Sequence, residues 1–305
     1  MLGAQRPKLV HRKTGRPVSE KLPLLNSVGT SALGMGGDSV TRGVTRLVTI
    51  SYCENAFKDK KNAQSTIRDF VKKYGVDLSE SEKPPSAYAT LNDFFQRRLR
   101  PGIRPLTRLP VAMPADCRCT VFDSVQEAQR LWIKGDEFTV ADLLSVGSQS
   151  KVPKDVRHSP AVAVFRLAPA DYHRFHFPLD CSFRKVKTTG KSFASVAPAT
   201  VNSSGDNPFT RNKRMVVHLN TEEFGKVVFV IIGATCVGSV EITASPGKNK
   251  KGDEMGMFGF GGSTCVMLAN SRKIQWSPDL LRNSAAGKET LCRWGQRLGK
   301  KAEAA

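Results

Sequence analysis

The sequence is short of acid. Forty-seven Lys and Arg stand against 27 Asp and Glu, a net charge of +20 at pH 7, which is extreme for an ordinary small-metabolite enzyme and calls for a polyanionic partner, either nucleic acid or an anionic membrane. Signatures that would make the partner a nucleic acid are missing as well: there is no paired-cysteine zinc spacing, no aromatic-rich RNP-like strand and no long Lys/Arg block. An anionic membrane surface is therefore the expected partner, and nucleic acid is not. Long apolar runs are also absent. The longest, VVFVIIGATCVG at 227–238, has 12 residues, too few to span a bilayer, so membrane association is expected to be peripheral.

Other absences narrow the chemistry. The seven cysteines are odd in number and widely spaced, which fits thiols used as small hydrophobes in a reducing, intracellular compartment rather than a disulfide framework. Among the five histidines, His173 and His176 lie three residues apart in LAPADYHRFHFP, but no HExxH-type frame or third ligand surrounds them, and no metal is expected. No G-x-S-x-G elbow is present. The stretch KTTGKSF resembles the tail of a phosphate-binding loop, yet Lys185 stands where that motif needs glycine. No fixed-period repeat appears.

What remains reads as a globular chain. Residues 1–50 carry eight Lys/Arg and two Asp/Glu and are expected to be a basic N-terminal arm or targeting segment. The helical part follows: Ala63, Ile67, Phe70, Val71 and Tyr74 recur at helical spacing and Gly75 sits at the C-cap. Thr90 and Asp93 form a capping-box pattern before Leu91, Phe94, Phe95 and Leu99. Beyond residue 110 the apolar runs are short and bounded by turn residues: 162–168, 214–220, 226–244 and 263–270. They predict a mainly β fold of packed antiparallel sheets with peripheral helices.

The run FGFGGSTCVMLAN, 258–270, enters one of these strands through Gly261, Gly262, Ser263 and Thr264. Glycines suit a tight turn, but an acid (Asp116 in MPADCRC), a histidine and a glycine-preceded serine also supply the orienting group, base and nucleophile of a triad. His173 and His176 point to opposite faces if their segment is extended and converge if it is a turn.

With GGST and DYHRFH, the stretches FFQRRLRPGIRPL, PADCRC, KGDEFTVADLL, VFRLAPADYHRFHFP, KGDEMGMFGFGGST and KIQWSPDLLRNSAAGKETLCRWGQRLG resemble the phosphatidylserine decarboxylases, in the family's order, over roughly residues 85–299. The resemblance implies a decarboxylase domain over 51–305 that cuts itself at Gly262–Ser263 into 1–262 and 263–305, the two pieces staying together. It also implies that Ser263 becomes a covalent pyruvoyl group, the only cofactor, a ketone that condenses with the substrate's amine and withdraws electrons as carbon dioxide leaves. By position His176 matches the self-cleavage base, Asp116 the acid that holds its tautomer, and His173 the residue that handles the proton in decarboxylation. The implied substrate is phosphatidylserine, the product phosphatidylethanolamine, and the place of action a membrane surface; a homo-oligomer is compatible with this reading.

Two departures stand out. Cys117 replaces the family's glycine after the aspartate, and SFASVAPATVNSSGDN (192–207) recasts a tyrosine-rich segment that bears on the lipid or amine accepted. The alternatives are a relative acting on a soluble amino acid and a membrane-binding relative that never processes.

Overall fold

The computed structural model of the chain describes residues 8–20, 57–131, 139–158, 160–191, 207–233, 240–259 and 263–303. Gly261 and Gly262, residues 1–7 and 21–50 of the expected arm, and 192–206 of the recast segment lie outside the described residues.

In chain order the strands are β1 Lys8–His11, β2 Val111–Ala112, β3 Cys117–Phe122, β4 Pro160–Leu167, β5 Arg174–His176, β6 Cys181–Phe183, β7 Val186–Thr189 and β8 Arg214–Thr221. There follow β9 Gly225–Gly233, β10 Val240–Ile242, β11 Gly247–Asn249, β12 Glu254–Phe258, β13 Ser263–Asn270, β14 Ile274–Trp276, β15 Lys288–Cys292 and β16 Arg297–Lys301. Ten of them form one sheet in the order β1-β15-β3-β4-β13-β9-β8-β6-β11, with β7 also on β8, and two three-stranded sheets, β10-β12-β5 and β14-β16-β2, complete the set. The fold is mainly β with a few helices, as the short punctuated runs predict. Antiparallel pairing dominates, while β1 joins β15 in parallel.

The large sheet is covered on both faces, which is why its central strands are almost wholly apolar. On β4, Ala161, Ala163, Phe165 and Leu167 enter one core while Val162 and Val164 enter the other. On β13 the same alternation sends Cys265, Met267 and Ala269 one way and Val266 and Leu268 the other. Successive side chains on a strand point to opposite faces, so Ser263 shares the face of Cys265. That core also contains Phe175, Met255 and Phe258, the side chains with which the small β10-β12-β5 sheet packs on the large one. The serine therefore faces the small sheet that carries His176. Five cysteines, 117, 119, 181, 265 and 292, are buried free thiols, in keeping with their reading as small hydrophobes.

The first helix forms where its pattern places it, whereas the second stops at Phe95, short of the expected Leu99, which pairs with Ser81 in a β-bridge instead. Helix Ala63–Tyr74 buries Ala63, Ile67 and Phe70 and ends at Gly75, whose φ of 67° is the left-handed C-cap conformation that glycine adopts without Cβ strain. The Thr90 hydroxyl accepts from the Asp93 N–H at 3.0 Å, starting helix Leu91–Phe95. Phe70, Leu91, Phe94 and Phe95 close a third, smaller core.

Part of the expected arm is built into the fold. β1 occupies an edge of the large sheet, and Glu20 reaches Arg118 at 2.7 Å and Arg166 at 2.9 Å, both buried arginines. Arg166 also meets Glu289 at 2.5 Å, and Arg118 pairs with Asp171. Burial raises the Glu20 carboxyl pKa, but Arg166 and Arg118 outweigh it and hold the group below its ordinary 4.5. Its contribution is thus present above that value and lost as pH falls through the depressed folded value. Glu20→Gln is expected to lower stability by about 1–3 kcal/mol, because each arginine loses one of two carboxylates in a buried setting. Urea unfolding at pH 7 checks this; an unchanged midpoint would contradict the pairing.

Candidate active site

Two chain segments are fastened side by side at both ends. Ser263 opens β13 opposite Leu167 of β4 and Gly233 of β9. Five residues upstream, the Phe258 N–H donates to the His173 carbonyl at 2.9 Å. Ser263 is thus tied to Leu167 and Phe258 to His173, the two ends of the short stretch that leads from β4 to the histidine-bearing loop. Ser263 is 1% exposed, so a reaction there proceeds out of bulk water.

His173 is fully buried, with its ring 3.6 Å from that of Phe95 between centroids. Its Nδ1 lies 2.9 Å from the Asp171 carbonyl. A carbonyl only accepts, so Nδ1 carries the proton and Nε2 holds a lone pair. That Nε2 is buried without a hydrogen-bond partner among the described residues. Burial pushes the pKa of His173 down to about 3, assisted by the cationic Arg97 and Arg118. The ring is thus neutral at physiological pH and keeps an unused base inside the protein.

His176 sits in a different setting at the end of β5. Its Nδ1 donates to the Gly252 carbonyl at 2.9 Å, which leaves Nε2 to accept from the Tyr172 hydroxyl at 3.2 Å. The ring lies flat on Trp294, 4.1 Å between centroids and 7° between planes. Desolvation lowers its pKa also. The two histidines do not converge; β5 begins at Arg174, between them.

Asp116 is placed otherwise than a triad acid would be. It is wholly buried and accepts from Arg104 Nη2 at 2.7 Å, Arg293 Nη1 at 2.9 Å and the Trp294 backbone N–H at 2.9 Å. The orienting carbonyl of Gly252, not Asp116, holds the His176 tautomer. Asp116 reaches that imidazole through Trp294: the carboxylate anchors the backbone of the residue on whose indole the ring rests. Arg104 in turn binds Glu80 at 2.6 Å. Cys117 is accommodated without distortion. It runs in strand β3, its thiol buried beside Met113 Sδ at 3.8 Å, and Ser145 alone among the described non-glycine residues has positive φ.

Tyr172 and Asp171 lie inside the motif that nominates the histidines, so proximity in sequence could have found them. Trp294, Gly252 and Arg104 are remote from DYHRFH in the chain and carry no local signal of their own. Among the described residues no group of three or more His, Cys, Asp or Glu side chains is arranged to hold a metal.

Similarity to known proteins agrees with the resemblance. The family described as phosphatidylserine decarboxylase matches residues 91–300. The chain is 43% identical to a phosphatidylserine decarboxylase proenzyme 2 of Oryza sativa subsp. japonica over 229 residues, covering 73% of this chain and 36% of that protein. It is 35% identical to a phosphatidylserine decarboxylase proenzyme 2 of Komagataella phaffii, covering 94% of this chain and 29% of that protein. With a phosphatidylserine decarboxylase proenzyme of Chlamydia pneumoniae it shares 39% identity over 77% of each. The aligned part thus spans about a third of the rice and Komagataella relatives.

The burial of His173 has a consequence for stability. Its folded value of about 3 lies below the ordinary 6.5, so the unfolded chain takes up a proton first as pH falls. The stability held in the neutral, buried ring is complete above pH 6.5 and drains away as pH drops towards 3, at up to about 1.4 kcal/mol per pH unit. His173→Gln is expected to flatten the stability curve in that window relative to the parent chain, measured by urea unfolding at several pH values. Parallel curves would contradict a buried neutral imidazole.

Proposed function

The chain belongs to the phosphatidylserine decarboxylase family, and from that premise we propose that it cuts itself between Gly262 and Ser263, converts Ser263 to a pyruvoyl group, and decarboxylates phosphatidylserine to phosphatidylethanolamine at a membrane surface. The observation that carries the reading is the placement of Ser263: a buried serine at the head of a central strand, fastened alongside a loop that presents a neutral, unpartnered imidazole nitrogen.

In this reading the Ser263 Oγ adds to the Gly262 carbonyl carbon, its proton passes to a base, and the C–N bond breaks to leave an ester. Removal of the Ser263 Cα proton then expels the Gly262 carboxylate. Water hydrolyses the remaining dehydrated residue, releasing ammonia and leaving a ketone on the small piece. The pyruvoyl group supplies an electron sink for the electrons left behind by carbon dioxide.

The chain's own residues supply the rest. His176, matched by position to the cleavage base, presents an Nε2 lone pair, and the indole of Trp294 under its ring stabilises the imidazolium formed on protonation. Tyr172 occupies that lone pair in the structure and would have to yield it. Asp116 acts as a positioning residue through the Trp294 backbone. His173 Nε2, whose buried lone pair fits a site that receives another group, would take the proton that the substrate's ammonium group sheds to attack the ketone, and would deliver it to the carbon that loses carbon dioxide.

A second reading has a specific observation behind it. His173 Nε2 is unengaged whereas both nitrogens of His176 are occupied, so His173 would serve as the cleavage base as well. Variants decide. On the first reading His176→Ala stays intact and inactive, whereas His173→Ala splits but turns over slower by about 10²–10⁴-fold, the usual share of acid–base assistance. Ser263→Ala provides the uncut reference. An uncut His173→Ala beside a cut His176→Ala would transfer the base role to His173. Carbon dioxide released from free serine but not from phosphatidylserine would favour the soluble-substrate relative.

A further inference from the structure

The large apolar side chains left exposed among the described residues are Leu78, Ile103 and Leu106, at 36%, 39% and 43%. All three gather on one part of the surface. Segments 80–82 and 98–100 pair antiparallel, with Glu82 N–H on the Arg98 carbonyl, Arg100 N–H on the Glu80 carbonyl, both 2.9 Å, and a Ser81–Leu99 bridge between them. Leu78 opens the helical turn Leu78–Glu80 that leads into this pairing, and Ile103 follows it on the other side, its N–H on the Arg100 carbonyl at 3.3 Å. Arg104, next to Ile103, is clamped to Glu80 at 2.6 Å. Leu106 lies over Gly252, so closely that a Cβ there would meet its Cδ2 at 2.8 Å.

Charge surrounds these tips with one sign along the chain. From Arg97 to Arg108 there are five arginines and no carboxylate. Arg97 and Arg104 are buried, while Arg98, Arg100 and Arg108 are exposed. Of the neighbouring acids, Glu80 is committed to Arg104, Asp77 to the Ser79 N–H and hydroxyl, and Glu254 to Arg174, with Arg98 at 3.9 Å, while Glu82 is exposed. Apolar tips beside the exposed Arg98, Arg100 and Arg108 match an anionic lipid bilayer, whose interface takes up the side chains while the phosphates meet the guanidinium groups.

We infer that the 98–108 loop, with Leu78 beside it, is the surface on which this protein docks to an anionic membrane. The inference rests on the lipid-substrate reading and adds the face that touches the bilayer. It also sets the docking face against the site: Leu106 covers Gly252, the residue whose carbonyl orients His176, and Arg104 beneath the loop holds Asp116. A lipid headgroup would thus be drawn from the bilayer directly beside the reacting residues.

The test uses the full chain and sedimentation with vesicles of phosphatidylcholine alone or with phosphatidylglycerol. The parent protein is expected to bind the anionic vesicles preferentially and to lose binding as salt rises. Ile103→Asp and Leu78→Asp are expected to weaken binding at least tenfold, and Arg108→Glu about fivefold or more. Arg272→Glu, an exposed arginine past the other end of β13, is the control and should bind like the parent. Turnover of a short-chain, monomerically dispersed phosphatidylserine should be unchanged in all four variants, while turnover on vesicles falls in the first three. Equal vesicle binding by parent, Ile103→Asp and Arg108→Glu would overturn the inference, as would a parent protein that binds no anionic vesicle. If instead the expected binding pattern is found but no form of phosphatidylserine is decarboxylated, the docking surface stands and the functional reading falls.

Discussion

Everything at this site depends on β13 being a central strand. It is laddered along its whole length to β4 and over six residues to β9, and it is buried on both faces by two separate cores. A chain break just before such a strand would not release it, because its ladder and apolar contacts are made with β4, β9 and the two cores. Under the proposed cleavage, that constraint would let Ser263, 1% exposed in the intact chain, become a chain terminus without leaving the sheet. Chemistry that would be ruinous on an edge strand is tolerable here.

The same logic extends through 263–305. β15 lies between β1 and β3, and β16 between β14 and β2, so the small piece is woven into the large one. The contacts around His176 cross the proposed break too: Trp294 supplies the stacking surface and Arg293 an ion pair, while His176 and Asp116 belong to the other piece. Arg166, paired with both Glu20 and Glu289, joins the N-terminal segment to the small piece through a buried charge. Severing the backbone at the proposed break would cut none of these contacts.

The strands were readable because a sheet covered on both faces demands continuous apolar runs, as in KVVFVIIG, and the helix 63–74 because its stripe and Gly75 cap are local. Ser263 and the histidines stood out for chemical reasons. What sequence could not supply was partnership. Asp116 looked like the imidazole's orienting acid, yet donors from Arg104, Arg293 and Trp294 claim it, and a backbone carbonyl, which leaves no trace in residue identity, takes the orienting role. Glu20 was read as part of an arm because basic, Gly/Ser-rich surroundings hide one carboxylate whose value lies in two arginines about 100 and 150 residues away.

The central claim is that Ser263 is consumed to make the catalytic group. Intact mass measurement of the purified protein under denaturing conditions tests it most directly. The account requires two pieces, 1–262 and 263–305, with the smaller lighter by one ammonia than the same peptide carrying an N-terminal serine. A single uncut chain, or a small piece with its serine unchanged, would contradict it.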